Sequence, residues 1–212
     1  MWRGRGLLAV VPLLCLGACG SATTSAMVAP SASAKWVGPP VALPDGSTVT
    51  TAIYYGPWAC SAAWMQRCER KCGYEGHTLR GCIWLADIKG DWQGRFLGIF
   101  PAEGGTRVAI TACCCDYATT DGRALRRIWN NAREGFRTTW AEEFGAWPSS
   151  TDGEMWPGHH IRDLFHGGHP TARNNVLPVP RDVHETYNTA YPQCYAGDPR
   201  WKTVGPDRPY AD

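Results

Sequence analysis

The 212-residue sequence predicts an α+β protein: a small, disulfide-rich, mostly β module, then a long helix, then a β-hairpin leading into a second helix. Three observations carry that prediction. Eight cysteines from Cys60 to Cys194 are interleaved with short runs of alternating apolar residues, the pattern of cross-linked strands. From Leu125 to Phe144, apolar residues recur at three- and four-residue steps, the period of an amphipathic helix. Five of the six histidines fall in one window, within Gly-His-His-Ile (158–161), His-Gly-Gly-His (166–169) and Val-His-Glu (183–185), with Asn174, Asn175 and Asn188 interleaved.

The N-terminus predicts export. Arg3 and Arg5 form a positive region, and the apolar run Leu7 to Ala18, broken only by Pro12, is too short to span a bilayer comfortably. It ends in Leu16-Gly17-Ala18-Cys19, followed by Gly20-Ser21. This tetrapeptide resembles the lipobox of bacterial lipoproteins, whose cysteine is diacylated before the signal is removed. The resemblance implies a signal peptide over 1–18 and lipidation of Cys19. It also implies a lipid anchor in the outer membrane, because no aspartate follows Cys19. The plainer reading is a secreted protein with a chance cysteine.

Residues 19–46 are rich in Ser, Thr, Ala and Pro and bury too little apolar surface to fold, so they read as a flexible tether. The remainder divides by texture into a Cys-rich module (47–120) and a second unit (121–212). A net charge of +2 gives no basic balance from which to argue nucleic-acid binding.

Setting Cys15 and Cys19 aside from the ten cysteines leaves Cys60, Cys68, Cys72, Cys82, Cys113, Cys114, Cys115 and Cys194. An even number in an exported chain predicts up to four disulfides, with connectivity left open. Zinc ligation by Cys68 and Cys72 with Cys82 and the 113–115 run is the alternative, which oxidising surroundings disfavour. Cys194 stands apart and is placed to tie the C-terminal part to the rest.

In the first unit Thr48–Tyr55, Gly81–Ile88, Phe96–Phe100 and Arg107–Ala112 read as strands, and Ser61–Lys71 as one or two helical turns. No catalytic constellation is visible there, and His77 reads as a surface residue. Asp121 caps the long helix, whose apolar face is Leu125, Ile128, Trp129, Ala132, Phe136, Trp140 and Phe144. Gly145 and Pro148 stop it. Arg126, Arg127, Arg133 and Arg137 share the opposite face, either solvated or available to phosphates.

The histidine window then reads as a short strand at 158–161, a turn with a returning strand at 173–180, and a helix. Pro178 and Pro180 forbid that helix before Arg181. His184 and Asn188, four apart, face the same way on it. A hairpin followed by such a helix brings His159, His160, His184 and Asn188 into one small space.

These residues resemble the ββα-metal (His-Me finger) nucleases, the HNH or endonuclease VII superfamily, and in particular its Gly-His-His variants. The resemblance covers roughly forty residues, 156–195, and the nine-residue step from Asn175 to His184 is its strongest part. It implies His159, His184 and Asn188 as ligands of one divalent metal, His160 as general base, and Asn175 as the residue that holds the loop and orients the base. Few protein ligands with open positions suit Mg²⁺ or Mn²⁺, and two histidines leave Zn²⁺ or Ni²⁺ open. Phosphodiester hydrolysis, of DNA or RNA, is the implied reaction.

The residues have plainer readings as well. Adjacent strand residues point to opposite faces, so one of His159 and His160 can be packing or solvated. Asn188 can be a helix-surface residue. His166 and His169 match no family role and read as decoration of the Gly167-Gly168 turn, while Asp163 and Glu185 are near enough to orient histidines.

Leader, tether, Cys-rich middle and nuclease-like end together resemble the Sit-type lipoprotein toxins. That resemblance implies transfer by outer-membrane exchange machinery, action in the cytoplasm of competitor cells and a cognate immunity protein. The alternative function is non-enzymatic: an outer-membrane lipoprotein with a disulfide-rich binding module and a structural metal site. Eleven tryptophans fit a binding surface or a compact core equally. A zinc peptidase is disfavoured, since no His-Glu-x-x-His occurs.

Overall fold

Alternating apolar runs give strands, and a computed structural model of the chain places them in order. It describes residues 34–38, 40–42, 46, 48–49, 52–89, 107–144 and 146–210. The signal peptide, Cys19, most of the tether, the strand expected at Phe96–Phe100 and the helix stop at Gly145 lie outside the described residues.

The first elements are β1 (Ala34–Val37), β2 (Val41–Ala42), β3 (Thr48–Val49) and β4 (Ala52–Ala59). The described residues of the strand expected over Thr48–Tyr55 fall in two sheets. Its first two residues pair with β2, and Ala52 onward enters the main sheet. Next come α1 (Ala62–Tyr74), β5 (Leu79–Lys89) and β6 (Arg107–Cys115). The main sheet is antiparallel with order β1-β4-β5-β6.

Successive strand residues point to opposite faces, and here both faces are covered. Gly81 to Ile88 of β5 are buried without a break. On one face Tyr54, Trp58, Trp84 and Ala109 pack with Met65 and Cys68 of α1. On the other, Ile53, Tyr55, Ile83, Leu85 and Ile110 meet residues from the second half of the chain. At 13 residues, α1 is longer than the one or two turns expected, because Met65, Cys68 and Cys72 bury one stripe along its length.

All eight cysteines are in disulfides: Cys60–Cys82, Cys68–Cys113, Cys72–Cys115 and Cys114–Cys194. This removes the zinc alternative for Cys68 and Cys72. Cys113 and Cys115 of β6 hold α1 on one side of the sheet, and Cys114 between them reaches across to the other.

The long helix, α2 (Gly122–Phe144), begins where Asp121 predicts, with its carboxylate accepting from the Arg123 and Ala124 N–H groups. Trp129, Phe136 and Trp140 are its buried stripe. Two residues depart from their expected faces. Ile128 is half exposed at the edge of the stripe, and Arg137 folds beneath the helix over the Trp147 ring and donates to the Trp156 carbonyl. Its aliphatic stem covers apolar surface there while the charged head finds an acceptor.

A two-stranded hairpin follows, β7 (Gly158–His160) with β8 (Val176–Pro178), in antiparallel register with His159 opposite Leu177. The last helix, α3 (Arg181–Ala196), starts immediately after Pro180, as the prolines dictate. Val183, Tyr187, Ala190, Tyr191 and Cys194 face inward from it. Tyr187 donates its hydroxyl proton to the Leu85 carbonyl, Tyr55 donates to the Pro178 carbonyl, and Cys194 bonds Cys114. Residues 47–120 and 121–212 differ in texture but contribute to the same core.

Candidate functional site

The hairpin is wedged between α2 and α3, and this placement decides what its two histidines do. Gly158 lies so close to α2 that a Cβ there would stand 2.5 Å from the Trp129 ring. From that contact onward, alternation along β7 sends His159 toward α3 and His160 toward α2. His159 packs against Tyr187 and Tyr191, with ring centroids 4.8 and 4.9 Å away, and faces the His184 ring at 5.4 Å. His160 meets Trp129 edge-on at 5.2 Å. Both rings are 95% buried or nearly so, each residue being 5% exposed, yet both line one cleft of about 190 Å³ together with His184 and Asn188. The two rings leave opposite sides of β7, yet both line the same cleft.

The loop between the strands is braced by Asn175. Its Oδ1 accepts from the Arg162 N–H at 2.7 Å, and its Nδ2 donates to the carbonyls of Arg162 at 3.2 Å and His169 at 3.0 Å. Its own carbonyl accepts from the Ile161 N–H. One residue beyond His169, the Pro170 carbonyl lies 3.0 Å from His160 Nε2. A carbonyl can only accept, so Nε2 carries the proton and Nδ1 keeps the lone pair. Asn175 thus orients His160 through the loop.

Burial dominates the electrostatics. The His159 pKa is driven well below the ordinary value, first by burial and then by repulsion from His184, His160 and Arg126. His160 falls to about 4, chiefly through burial; its Pro170 bond opposes the shift and Arg126 adds to it. His184 also falls to about 4, through burial, Arg126 and Arg181. All three imidazoles are therefore neutral at pH 7, the form that binds metal or takes up a proton.

His159 Nε2 is buried and has no hydrogen-bond partner among the described residues. A buried imidazole nitrogen without a partner, on a ring 5.4 Å from a second neutral imidazole, gives a donor pair suited to a divalent cation. Asn188 completes the set, its side-chain amide 3.3 Å from His184 Nδ1. Among the described residues no three His, Cys, Asp or Glu side chains form a metal-binding group.

Of the remaining sequence candidates, Asp163 lines the cleft, and the others lie away from it. His166 stacks flat on Tyr195 with centroids 3.6 Å apart and bonds Asp163 at 3.0 Å. Asp163 therefore orients His166 by hydrogen bond, while its charge opposes the lowering of the His160 pKa. His169 Nδ1 accepts from the Thr171 N–H. Glu185 faces the opposite side of α3, beside Asp182 and Arg200. His77 sits on the far module, paired with Asp116 at 3.2 Å. Arg126 of α2 and Phe165, between the histidine pairs, also line the cleft. Sequence spacing places Arg126 only on a basic helix face and gives no signal for Phe165 beyond its position in the window.

Comparison of the chain with protein-family models, with curated proteins and with solved structures finds no match.

Proposed function

We propose that the chain is a metal-dependent nuclease of the ββα-metal type, carried outside its producer on a lipid anchor as an interbacterial toxin. The observation that supports the nuclease reading best is the convergence of His159, His160 and His184 on one cleft, with Asn175 bracing the intervening loop. His159 and His184 would hold one divalent cation, with Asn188 beside them. When bound, that cation supplies positive charge to the phosphate and the departing oxygen.

The protein's own contribution is proton handling and orientation. His160, with Nε2 committed to Pro170, takes the proton from an attacking water on Nδ1. The water oxygen bonds to phosphorus, the ester P–O bond breaks, and the leaving oxygen takes a proton from solvent. A pKa of about 4 makes His160 by itself a weak base; an anionic phosphate alongside raises it toward the working range.

The toxin reading rests on the lipobox-like leader together with the disulfide framework suited to extracellular conditions. It brings as partners a membrane reached through the Cys19 anchor, an outer-membrane exchange machinery and a cognate immunity protein. The core shared between the two halves requires that the oxidised full chain be tested. It should nick plasmid DNA or degrade RNA with Mg²⁺, Mn²⁺, Zn²⁺ or Ni²⁺. His160→Ala should reduce the rate by roughly 100-fold or more. Intact DNA and RNA across that metal panel would overturn the nuclease and leave the lipid-anchored binder with a structural metal site.

A further inference from the structure

The three side chains of the one-turn segment Leu164–His166 go three separate ways. Leu164 is fully buried, and His166 is stacked on Tyr195. Phe165 alone stays 48% exposed, on the wall of the cleft that holds His159, His160 and His184. It is nevertheless held firmly. The Thr120 N–H donates to the Phe165 carbonyl and the Thr120 hydroxyl to the Leu164 carbonyl, both at 2.8 Å. The ring overlies Gly122, where a Cβ would stand 2.6 Å from Phe165 Cγ. A single exposed apolar residue is ordinary on a surface; what sets Phe165 apart is its place on the wall of a cleft with three imidazoles and Arg126, where its ring offers a face for stacking.

One helical turn after Gly122, Arg126 lines the same cleft and has no carboxylate partner among the described residues. Asp163, the acidic residue of the lining, is already engaged by His166. The wall therefore combines an aromatic surface with an unneutralised cation, next to the histidines.

We propose that the cleft takes a single-stranded nucleic acid, with one unpaired base stacked on Phe165 and the neighbouring phosphate held by Arg126 against the histidines. This rests on the nuclease reading and adds its substrate class. In a duplex, base faces are covered by their neighbours and only edges and phosphates reach the surface, so an aromatic ring gains little there. In a single strand every base has a free face, and stacking on an aromatic side chain is insensitive to sequence. DNA and RNA share this chemistry.

The test is binding of short labelled oligonucleotides, followed by fluorescence anisotropy, to the oxidised full chain carrying His160→Ala. Single-stranded and duplex DNA and RNA of one sequence are compared, in EDTA and in Mg²⁺. Single strands should bind more tightly than duplexes, with the DNA and RNA arms assigning the sugar. Phe165→Leu, which keeps apolar bulk, should weaken single-strand binding roughly tenfold, and Phe165→Tyr should restore it. Arg126→Gln should weaken binding and flatten its salt dependence by about one phosphate contact. Equal or tighter duplex binding, wild-type affinity in Phe165→Leu, or no binding at all overturns the proposal. Cleavage by the chain with His160 intact separates the two readings. Duplexes cut as fast as single strands overturn the single-strand preference alone, whereas single strands bound through Phe165 but never cut overturn the nuclease alone.

Discussion

His160 donates its Nε2 proton to the Pro170 carbonyl at 3.0 Å, and that one bond decides which ring nitrogen is left to act as a base. The expected tautomer is directly visible. Long-range ¹⁵N–¹H spectra at neutral pH should show Nε2–H and an unprotonated Nδ1 for His160. A dominant Nδ1–H form would remove it as the base.

Asn175 ties the carbonyls of Arg162 and His169 together. Asn175→Asp keeps an acceptor for the Arg162 N–H but loses both donated bonds and places a charge in the loop. Asn175→Ala loses all three side-chain bonds. Both should lose about 1–3 kcal/mol of stability in urea titrations, and the loss of turnover should exceed what stability accounts for. Unchanged turnover in a folded Asn175→Ala protein would contradict the orienting role.

Metal binding should raise the melting temperature, since the folded chain holds the paired imidazoles and the unfolded chain does not. At a cation concentration about 100 times Kd the expected gain is about 2.7 kcal/mol. His159→Ala or His184→Ala should abolish the rise measured by calorimetry. A gain that survives in either variant points to another site.

Acid should destabilise the metal-free protein. The folded pKa values of His160 and His184 are about 4, and that of His159 is lowered well below the ordinary 6.5. Between pH 6.5 and about 4 the unfolded chain takes up protons that the folded chain refuses, so unfolding free energy falls as pH falls through that window. Across the three rings the loss is on the order of a few kcal/mol. Urea titrations in EDTA at about pH 7 and about pH 4.5 measure it. His184→Gln should flatten the slope, and an unaltered slope would show that other groups carry it.

Cys114–Cys194 joins β6 to the helix that carries His184 and Asn188, closing a separation of 80 residues. Replacing both cysteines by alanine should cost about 2–5 kcal/mol in denaturant. It should also broaden the His159 and His184 resonances, as α3 loses its hold on the sheet. Sharp, unshifted resonances would mean that Tyr187 and its core neighbours alone hold α3 in place.

What was legible in the sequence was local. The caps and prolines set the starts of α2 and α3 at Asp121 and Pro180, and the alternation marked the strands around Gly81 and Arg107. The gathering of His159, His160, His184 and Asn188 followed from a hairpin-helix expectation, because each lies within a few residues of a turn or a helical step, while Asn175 was marked only by its nine-residue step to His184. Long-range choices were not legible. Eight cysteines carry no pairing information in their spacing, and Ile128 fits the apolar period of α2 yet is left half exposed. Phe165 looks like one more apolar residue until Thr120 and Gly122 fix it against the cleft. Texture also suggested two units, whereas the sheet needs α3 on one face as much as α1 on the other.

The run Cys113-Cys114-Cys115 sends its outer thiols to α1 and its middle thiol to α3. A slip of β6 by one residue exchanges the faces of all three. Two thiols would then point toward α3, which carries Cys194 alone, and one toward α1, which offers Cys68 and Cys72. Such a strand cannot oxidise to completion without leaving free thiols. Full oxidation is thus a proofreading step for strand alignment, and any quality control that senses free thiols would reject a misaligned sheet before the histidine cleft is assembled on it.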